Sequence, residues 1–237
     1  MVLTGMELTK ELMRFWANLA HLLTSEVYVG KGILRGHGEP VLLVPGFLAG
    51  DWSLYILNGW LKHIGYKPYM SDIVCNVYCP DVTMRTLRRR VEKIILKEGT
   101  ISVIGHSLGG LLARAIGHEY PENITHVITL GTPLRNLTTT SSRFSDFVKT
   151  LAVSVIPCLR IAEENSITCA CNLMRVMMSP LPKAGVATSV FSKEDAIVDW
   201  FMSWRPDEKF EEVTGGHAGL VVNPEVYRVL ARILAAS

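Results

Sequence analysis

The chain has 237 residues, 49% of them hydrophobic and 19% charged, with a formal net charge of +2. This composition favours one large folded domain with a substantial core and argues against a disordered polar chain. The small net charge gives no reason to expect a nucleic-acid partner, because the densest basic cluster, residues 85–90, falls on a predicted solvent-exposed helix face.

The N-terminal segment is predicted to be an amphipathic helix. Apolar residues recur at helical spacing over residues 6–23, with Lys10, Arg14 and Asn18 between them. We expect a helix that packs on the protein body or, alternatively, one that docks onto a membrane, a lipid substrate or a second copy of the chain. Charged residues interrupt the run that a signal peptide would need, so the sequence predicts a cytoplasmic protein, with peripheral membrane association as the alternative.

From residue 39 onward, short apolar strands alternate with helices. The predicted strands cover residues 41–44, 67–70, 101–104, 124–130, 187–191 and 210–214. The predicted helices cover residues 52–61, 82–97, 108–118 and 224–236. Alternation of this kind predicts an α/β fold, in which helices cover both faces of a mostly parallel sheet. Residues 1–38 would form the N-terminal helix and lead-in, and residues 39–237 the main domain.

The alternation breaks between residues 134 and 185. This segment has a Ser/Thr-rich opening, an apolar stretch at 151–161 and a methionine-rich, helix-like stretch at 171–178. An insertion at this point is expected to lie over the mouth of the sheet as a helical cap or lid, whose flexible methionines adapt to apolar ligands. Filling of the core by the same methionines is the alternative.

The most informative motif is Gly105-His106-Ser107-Leu108-Gly109, between a predicted strand and a predicted helix. A serine between glycines at a sharp strand-to-helix turn is typical of a nucleophile elbow, in which the hydroxyl projects above the edge of the sheet. A serine hydroxyl needs a histidine to accept its proton and a carboxylate to orient that histidine. We interpret His106 itself as a packing or wall residue rather than the base.

Candidates for the acid and the histidine follow two later strands. Asp195 comes at the turn after the strand at 187–191, and His217 lies among glycines after the strand at 210–214. The carboxyl ends of parallel strands share one edge of the sheet, so Ser107, Asp195 and His217 are expected to meet there. Asp199 and Glu194 remain as alternative acids.

The sequence resembles the α/β-hydrolase fold esterases and lipases, and most of all the bacterial triacylglycerol-lipase-like members. Five segments carry the resemblance: Val44-Pro45-Gly46-Phe47, the elbow at Ser107, Leu130-Gly131-Thr132-Pro133, Asp195-Ala196-Ile197-Val198 and Gly216-His217. Two positions depart from the pattern of many such proteins. Pro45 stands where a histidine is common, and Asp199 stands where a proline often follows the catalytic acid.

The resemblance implies a serine carboxylic ester hydrolase that acts on apolar acyl esters through an acyl-enzyme. The backbone N–H groups of Phe47 and Leu108 would then form the oxyanion hole. Apolar residues near the predicted mouth are candidates for substrate binding, although most could equally belong to the core: Leu48, Trp52, Leu134 and Trp200. The alternatives are an acyltransferase that uses the same triad and a non-catalytic binding protein that has kept the fold.

The sequence implies no metal and no organic cofactor. Its five cysteines are not spaced as zinc ligands are, and we interpret them as buried structural thiols. A disulfide between Cys75 and Cys79 is the alternative, and it would require an oxidising compartment.

Overall fold

Six short strands form one sheet in the computed structural model, which describes residues 5–78, 80–135, 179–182 and 187–236. The strand order is β2-β1-β3-β4-β5-β6, and each neighbouring pair is parallel. The strands are β1 (Pro40–Val44), β2 (Lys67–Met70), β3 (Ile101–His106), β4 (Ile124–Leu130), β5 (Ala187–Ser192) and β6 (Lys209–Val213).

Helices connect and cover these strands. The described α-helices are α1 (Gly5–Thr24), α2 (Tyr55–His63), α3 (Pro80–Glu98), α4 (Leu108–Glu119) and α5 (Pro224–Leu234). Three short 3₁₀ turns are also present among the described residues: Asp51–Leu54, Trp200–Met202 and Ala218–Val222. The N-terminus of the last helix is capped, because the side chain of Asn223 accepts a hydrogen bond from the N–H of Glu225. Pro224 occupies the first helical position, where its missing N–H costs nothing.

The core divides into two clusters, one on each face of the sheet. Successive side chains of a strand point to opposite faces, so Val41 and Leu43 of β1 pack with α2 and α5, whereas Leu42 and Val44 pack with α3 and α4. The sheet is therefore buried on both sides, which explains why its inner strands are almost continuously apolar.

The predicted α/β fold is confirmed, and the predicted elements match the observed ones closely. The strand at 101–104 extends to His106, and the helix predicted at 52–61 splits into the turn Asp51–Leu54 and α2. Apart from residues 134–135 and 179–182, the predicted cap at 134–185 lies outside the described residues, and this includes the stretches 151–161 and 171–178. The cap and the division at residue 38 remain predictions. The expectation of buried cysteines is wrong for Cys75, whose thiol is free and whose side chain is exposed.

The parallel arrangement brings the carboxyl ends of β3, β4, β5 and β6 to one edge of the sheet. The elbow follows β3, the segment Gly131-Thr132 follows β4, Asp195 follows β5 and His217 follows β6. Residues that are far apart in sequence therefore lie at the same edge.

Candidate active site

Ser107 occupies a strained turn between β3 and α4. Its backbone φ is 53° and ψ is −122°, a conformation that costs energy for a residue with a side chain. The surrounding structure holds the turn: the N–H of Ser107 donates to the carbonyl of Leu130 at 2.8 Å, and the Thr132 hydroxyl donates to the Ser107 carbonyl at 3.0 Å. The segment after β4 thus fixes the elbow.

Close backbone contacts explain why glycines flank this serine. A Cβ on Gly105 would collide with the carbonyl oxygen of Gly109, and a Cβ on Gly109 would collide with the carbonyl oxygen of Val44. Strand, turn and helix can therefore approach as closely as they do only without these side chains.

Asp195 and His217 form a buried hydrogen-bonded pair. Nδ1 of His217 donates to Oδ2 of Asp195 at 2.6 Å, which leaves Nε2 of the neutral ring as an acceptor. The other carboxylate oxygen, Oδ1, accepts the backbone N–H groups of Ile197 and Val198, each at 2.8 Å. These two bonds orient the carboxylate so that Oδ2 faces the histidine.

Gly131 lies directly against this pair. Its φ is +57°, and a Cβ there would lie 3.1 Å from Oδ2 of Asp195 and 3.2 Å from Nδ1 of His217. A side chain at this position would be strained and would press on the hydrogen bond between acid and histidine.

Charge and burial act in opposite directions on His217. Burial lowers the pKa of the ring, but the negative charge of Asp195, its hydrogen bond and the charge of Glu11 together outweigh burial, so the pKa of His217 is raised above its ordinary value. The imidazolium form is therefore favoured relative to a histidine in water.

His106 supports the histidine loop. Its Nε2 lies 3.0 Å from the carbonyl oxygen of His217, and because a carbonyl can only accept, Nε2–H is the donor. Burial, together with the neighbouring His217, lowers the pKa of His106 to about 3, so the ring is neutral at ordinary pH. This geometry ties the His217 loop to the residue next to Ser107.

The predicted oxyanion loop approaches the elbow. A Cβ on Gly46 would lie 3.1 Å from Cβ of Ser107, which places the backbone of the Phe47 segment beside the serine. Leu108 is the first residue of α4, where the N–H has no acceptor within the helix. These positions are compatible with two N–H donors near Ser107.

Asn76 holds the predicted oxyanion loop in place, a contact that the sequence reasoning missed. Its side-chain amide donates to the carbonyl of Pro45 at 2.9 Å, and its backbone carbonyl accepts the N–H of Leu48 at 3.1 Å. Asn76 is almost fully buried. It lies in an irregular segment more than 25 residues away in sequence, where no local pattern marks it.

The four residues predicted to bind substrate lie in different environments. Leu134 is fully buried in the core cluster shared with α3 and α4, so packing, the alternative left open by the sequence, accounts for its burial. Trp52 is 62% exposed and Trp200 39% exposed, and Leu48 is half-buried with a positive φ. Their contact with substrate remains a prediction.

The predicted apolar stripe of α1 is divided between two environments. Phe15, Leu19 and Leu22 pack on the core, whereas a second group is at least half exposed: Leu12, Trp16 and Leu23. Glu11, which the sequence reasoning treated only as a charged interruption, is buried beside the acid and histidine loops. The docking of this helix onto a membrane or a second copy of the chain remains a prediction.

In the part of the chain that the structure describes, no three His, Cys, Asp or Glu side chains cluster as metal ligands would. Among the same residues, no helix combines the length and the apolar character that crossing a bilayer requires.

No model of a known protein family matches the sequence. Among curated proteins, a triacylglycerol lipase of Pseudarthrobacter phenanthrenivorans is 29% identical over 120 residues, which cover 46% of this chain and 36% of the lipase. A triacylglycerol lipase of Burkholderia plantarii is 29% identical over 120 residues, covering 46% of this chain and 32% of that protein. The chain thus spans about a third of the length of the curated relatives that it matches.

Solved structures share the fold over most of the chain. A metagenome-derived lipolytic enzyme has a TM-score of 0.58 at 13% identity, covering 86% of this chain and 95% of its own. Mouse α/β-hydrolase domain-containing protein 10 has a TM-score of 0.55 at 17% identity, with 86% and 90% covered. An epoxide hydrolase mutant from Bacillus megaterium has a TM-score of 0.52 at 14% identity, with 86% and 95% covered.

The chain has the α/β-hydrolase fold. Its similarity to esterases and lipases, predicted from the five segments, is confirmed by the triacylglycerol lipases among its sequence relatives and by a lipolytic enzyme among its structural neighbours. The same fold also serves an epoxide hydrolase, so the reaction has to be argued from the site itself.

Proposed function

We propose that the protein is a hydrolase, and more specifically a serine carboxylic ester hydrolase that acts on apolar acyl esters. The observation that carries the proposal is the buried hydrogen bond between His217 and Asp195 at the sheet edge where Ser107 occupies its strained turn. The two triacylglycerol lipases among the sequence relatives support the substrate class.

The proposed reaction begins with proton transfer from Ser107 Oγ to Nε2 of His217, as Oγ attacks the ester carbonyl. The N–H groups of Phe47 and Leu108 stabilise the oxyanion of the tetrahedral intermediate, and Asp195 stabilises the imidazolium. When the intermediate collapses, the carbon–oxygen bond to the alcohol breaks and the alcohol leaves with the proton of His217.

Water then repeats these steps on the acyl-enzyme. His217 removes a proton from the attacking water, the bond to Ser107 Oγ breaks, and the carboxylic acid is released as Oγ takes back the proton. An acyltransferase would differ only in the acceptor, since an alcohol or a thiol would attack in place of water.

Hydrolysis of p-nitrophenyl esters of increasing acyl length tests the proposal. The native protein is expected to release p-nitrophenol, and Ser107→Ala is expected to lower the rate by at least about a thousandfold because no acyl-enzyme can form. Ser189→Ala is a matched control: this serine is also buried, and its hydroxyl makes no hydrogen bond within the described residues.

A fluorophosphonate probe provides an independent readout, because it should label Ser107 covalently without requiring the correct substrate. Labelling that is lost in Ser107→Ala and kept in Ser189→Ala would support the nucleophile. Full ester turnover by Ser107→Ala would refute the proposed mechanism. Turnover that rises strongly when an alcohol is added would indicate acyl transfer.

A further inference from the structure

Helix α1 packs polar groups against the two loops that carry Asp195 and His217. The guanidinium of Arg14 donates to the carbonyl of Glu194 at 2.7 Å, next to Asp195. The side-chain amide nitrogen of Asn18 lies 2.6 Å from the position that a Cβ on Gly215 would take. The helix thus contacts both loops, although it lies almost 200 residues from them in sequence.

Glu11 lies deepest in this contact. It is only 3% exposed, and its Oε1 accepts the backbone N–H of Ala196, the residue after Asp195, at 3.2 Å. A Cβ on Gly216, the residue before His217, would lie 2.8 Å from Oε1 and 2.5 Å from Oε2. The carboxylate therefore touches both loops, and only a glycine leaves room for it at position 216.

The burial of the Glu11 carboxylate is unfavourable for the stability of the fold. Within the described residues, Oε2 has no well-formed hydrogen bond, and the N–H of Ala218 interacts with the carboxylate more weakly than the N–H of Ala196 does. Burial raises the pKa of Glu11, the nearby charge of Asp195 raises it further, and the N–H of Ala196, the charge of His217 and the N–H of Ala218 lower it. Keeping such a group buried costs stability, which suggests a role at the site.

Among the residues that the structure describes, three titratable groups act on or contact the His217 ring. Asp195 comes from the loop after β5, His106 from the end of β3 and Glu11 from α1. Because His106 is neutral, Glu11 is the second negative charge that the imidazolium of His217 meets.

We propose that Glu11 is a positioning residue, which holds the Asp195 and His217 loops together and stabilises the imidazolium electrostatically from the side of α1. This inference rests on the proposed esterase function, because the imidazolium forms when His217 takes the proton of Ser107. It makes the N-terminal helix part of the active-site architecture.

The test compares Glu11→Gln with Glu11→Asp and with Lys10→Gln. Glutamine keeps an oxygen that can accept the Ala196 N–H but removes the charge, whereas aspartate keeps the charge. Lys10 is an exposed neighbour on the same helix and serves as the control. Two quantities are measured: the pH profile of kcat/KM on a p-nitrophenyl ester, and the NMR titration of the His217 ring.

We expect Glu11→Gln to lower the midpoint of both titrations by about one pH unit, as the loss of a nearby opposite charge does. The midpoint of Glu11→Asp should lie close to the native midpoint, and the midpoint of Lys10→Gln should equal it. A purely structural role would lower stability or kcat/KM at every pH without moving the midpoint. An unchanged midpoint in a folded Glu11→Gln protein would overturn the inference.

The NMR titration separates this inference from the proposed function. If the native protein hydrolyses no ester, the esterase proposal fails, but the coupling between Glu11 and His217 is still measured in the ring titration. If Glu11→Gln does not fold, the ring titration of Glu11→Asp tests the inference instead. The shorter side chain places the carboxylate farther from the ring, so the midpoint of His217 should move slightly downward. A midpoint identical to the native one would count against the inference.

Discussion

Asp195→Asn is the substitution whose effect follows most directly from the structure. In the native protein, Oδ1 of Asp195 accepts two backbone N–H groups and Oδ2 accepts Nδ1–H of His217. The amide NH₂ of asparagine cannot accept a hydrogen bond, so the remaining oxygen has to stay with the two N–H donors. The NH₂ group then points at Nδ1 of His217.

This arrangement forces His217 into the unproductive tautomer. Nδ1 has to accept, the proton moves to Nε2, and Nε2 can no longer take the proton of Ser107. Turning the amide around would restore the tautomer but leave two buried N–H groups unpaired, at about 1–3 kcal/mol each. The two groups together cost about 2–6 kcal/mol, so kcat/KM should fall by about 30-fold to 10⁴-fold.

The assay is the initial rate on the best p-nitrophenyl ester, with Asp199→Asn as the control at equal concentration. Asp199 precedes the turn Trp200–Met202, and its substitution leaves the bond between Asp195 and His217 intact. We expect less than about a tenfold loss there, since no group that reacts is removed. If Asp195→Asn keeps its rate within tenfold while Asp199→Asn loses a thousandfold, the acid has been assigned to the wrong residue.

Two further predictions concern pH and stability. The pKa of His217 is raised, and only the neutral ring accepts a proton, so kcat/KM should rise with pH with a midpoint above 6.5. A midpoint below 6.5 in the pH profile would contradict this prediction. Glu208→Gln removes the buried carboxylate that receives two hydrogen bonds from Arg114 at 2.8 Å, so urea unfolding should show a loss of about 3–5 kcal/mol. The same change at Glu212, in an exposed ion pair with Lys193, should cost less than about 1 kcal/mol, and equal losses would refute the role of burial.

Much of the fold could be predicted because its determinants are local. Strands with apolar residues on both faces and helices with an apolar stripe have distinct periods, which identified the alternation from β1 to α5. The elbow was equally visible, since a serine that needs a positive φ and close backbone packing requires glycines at fixed neighbouring positions.

The sequence alone did not decide which carboxylate pairs with His217. Glu194, Asp195 and Asp199 lie within six residues of one another, and spacing alone does not decide which carboxylate faces the histidine. In the structure, Asp195 makes the 2.6 Å hydrogen bond to His217 because the N–H groups of Ile197 and Val198 turn its side chain toward the ring. Its catalytic role remains the prediction that the asparagine variants test.

The sequence by itself determined the α/β architecture and the candidate serine, because backbone conformation and strand or helix period depend on nearby residues. The tertiary structure alone decided the surroundings of the site. Asn76 reaches the carbonyl of Pro45, and Glu11 reaches the N–H of Ala196, across long sequence separations. A charged residue in an amphipathic helix is expected to face water, and only the packing of α1 on two distant loops buries Glu11 instead.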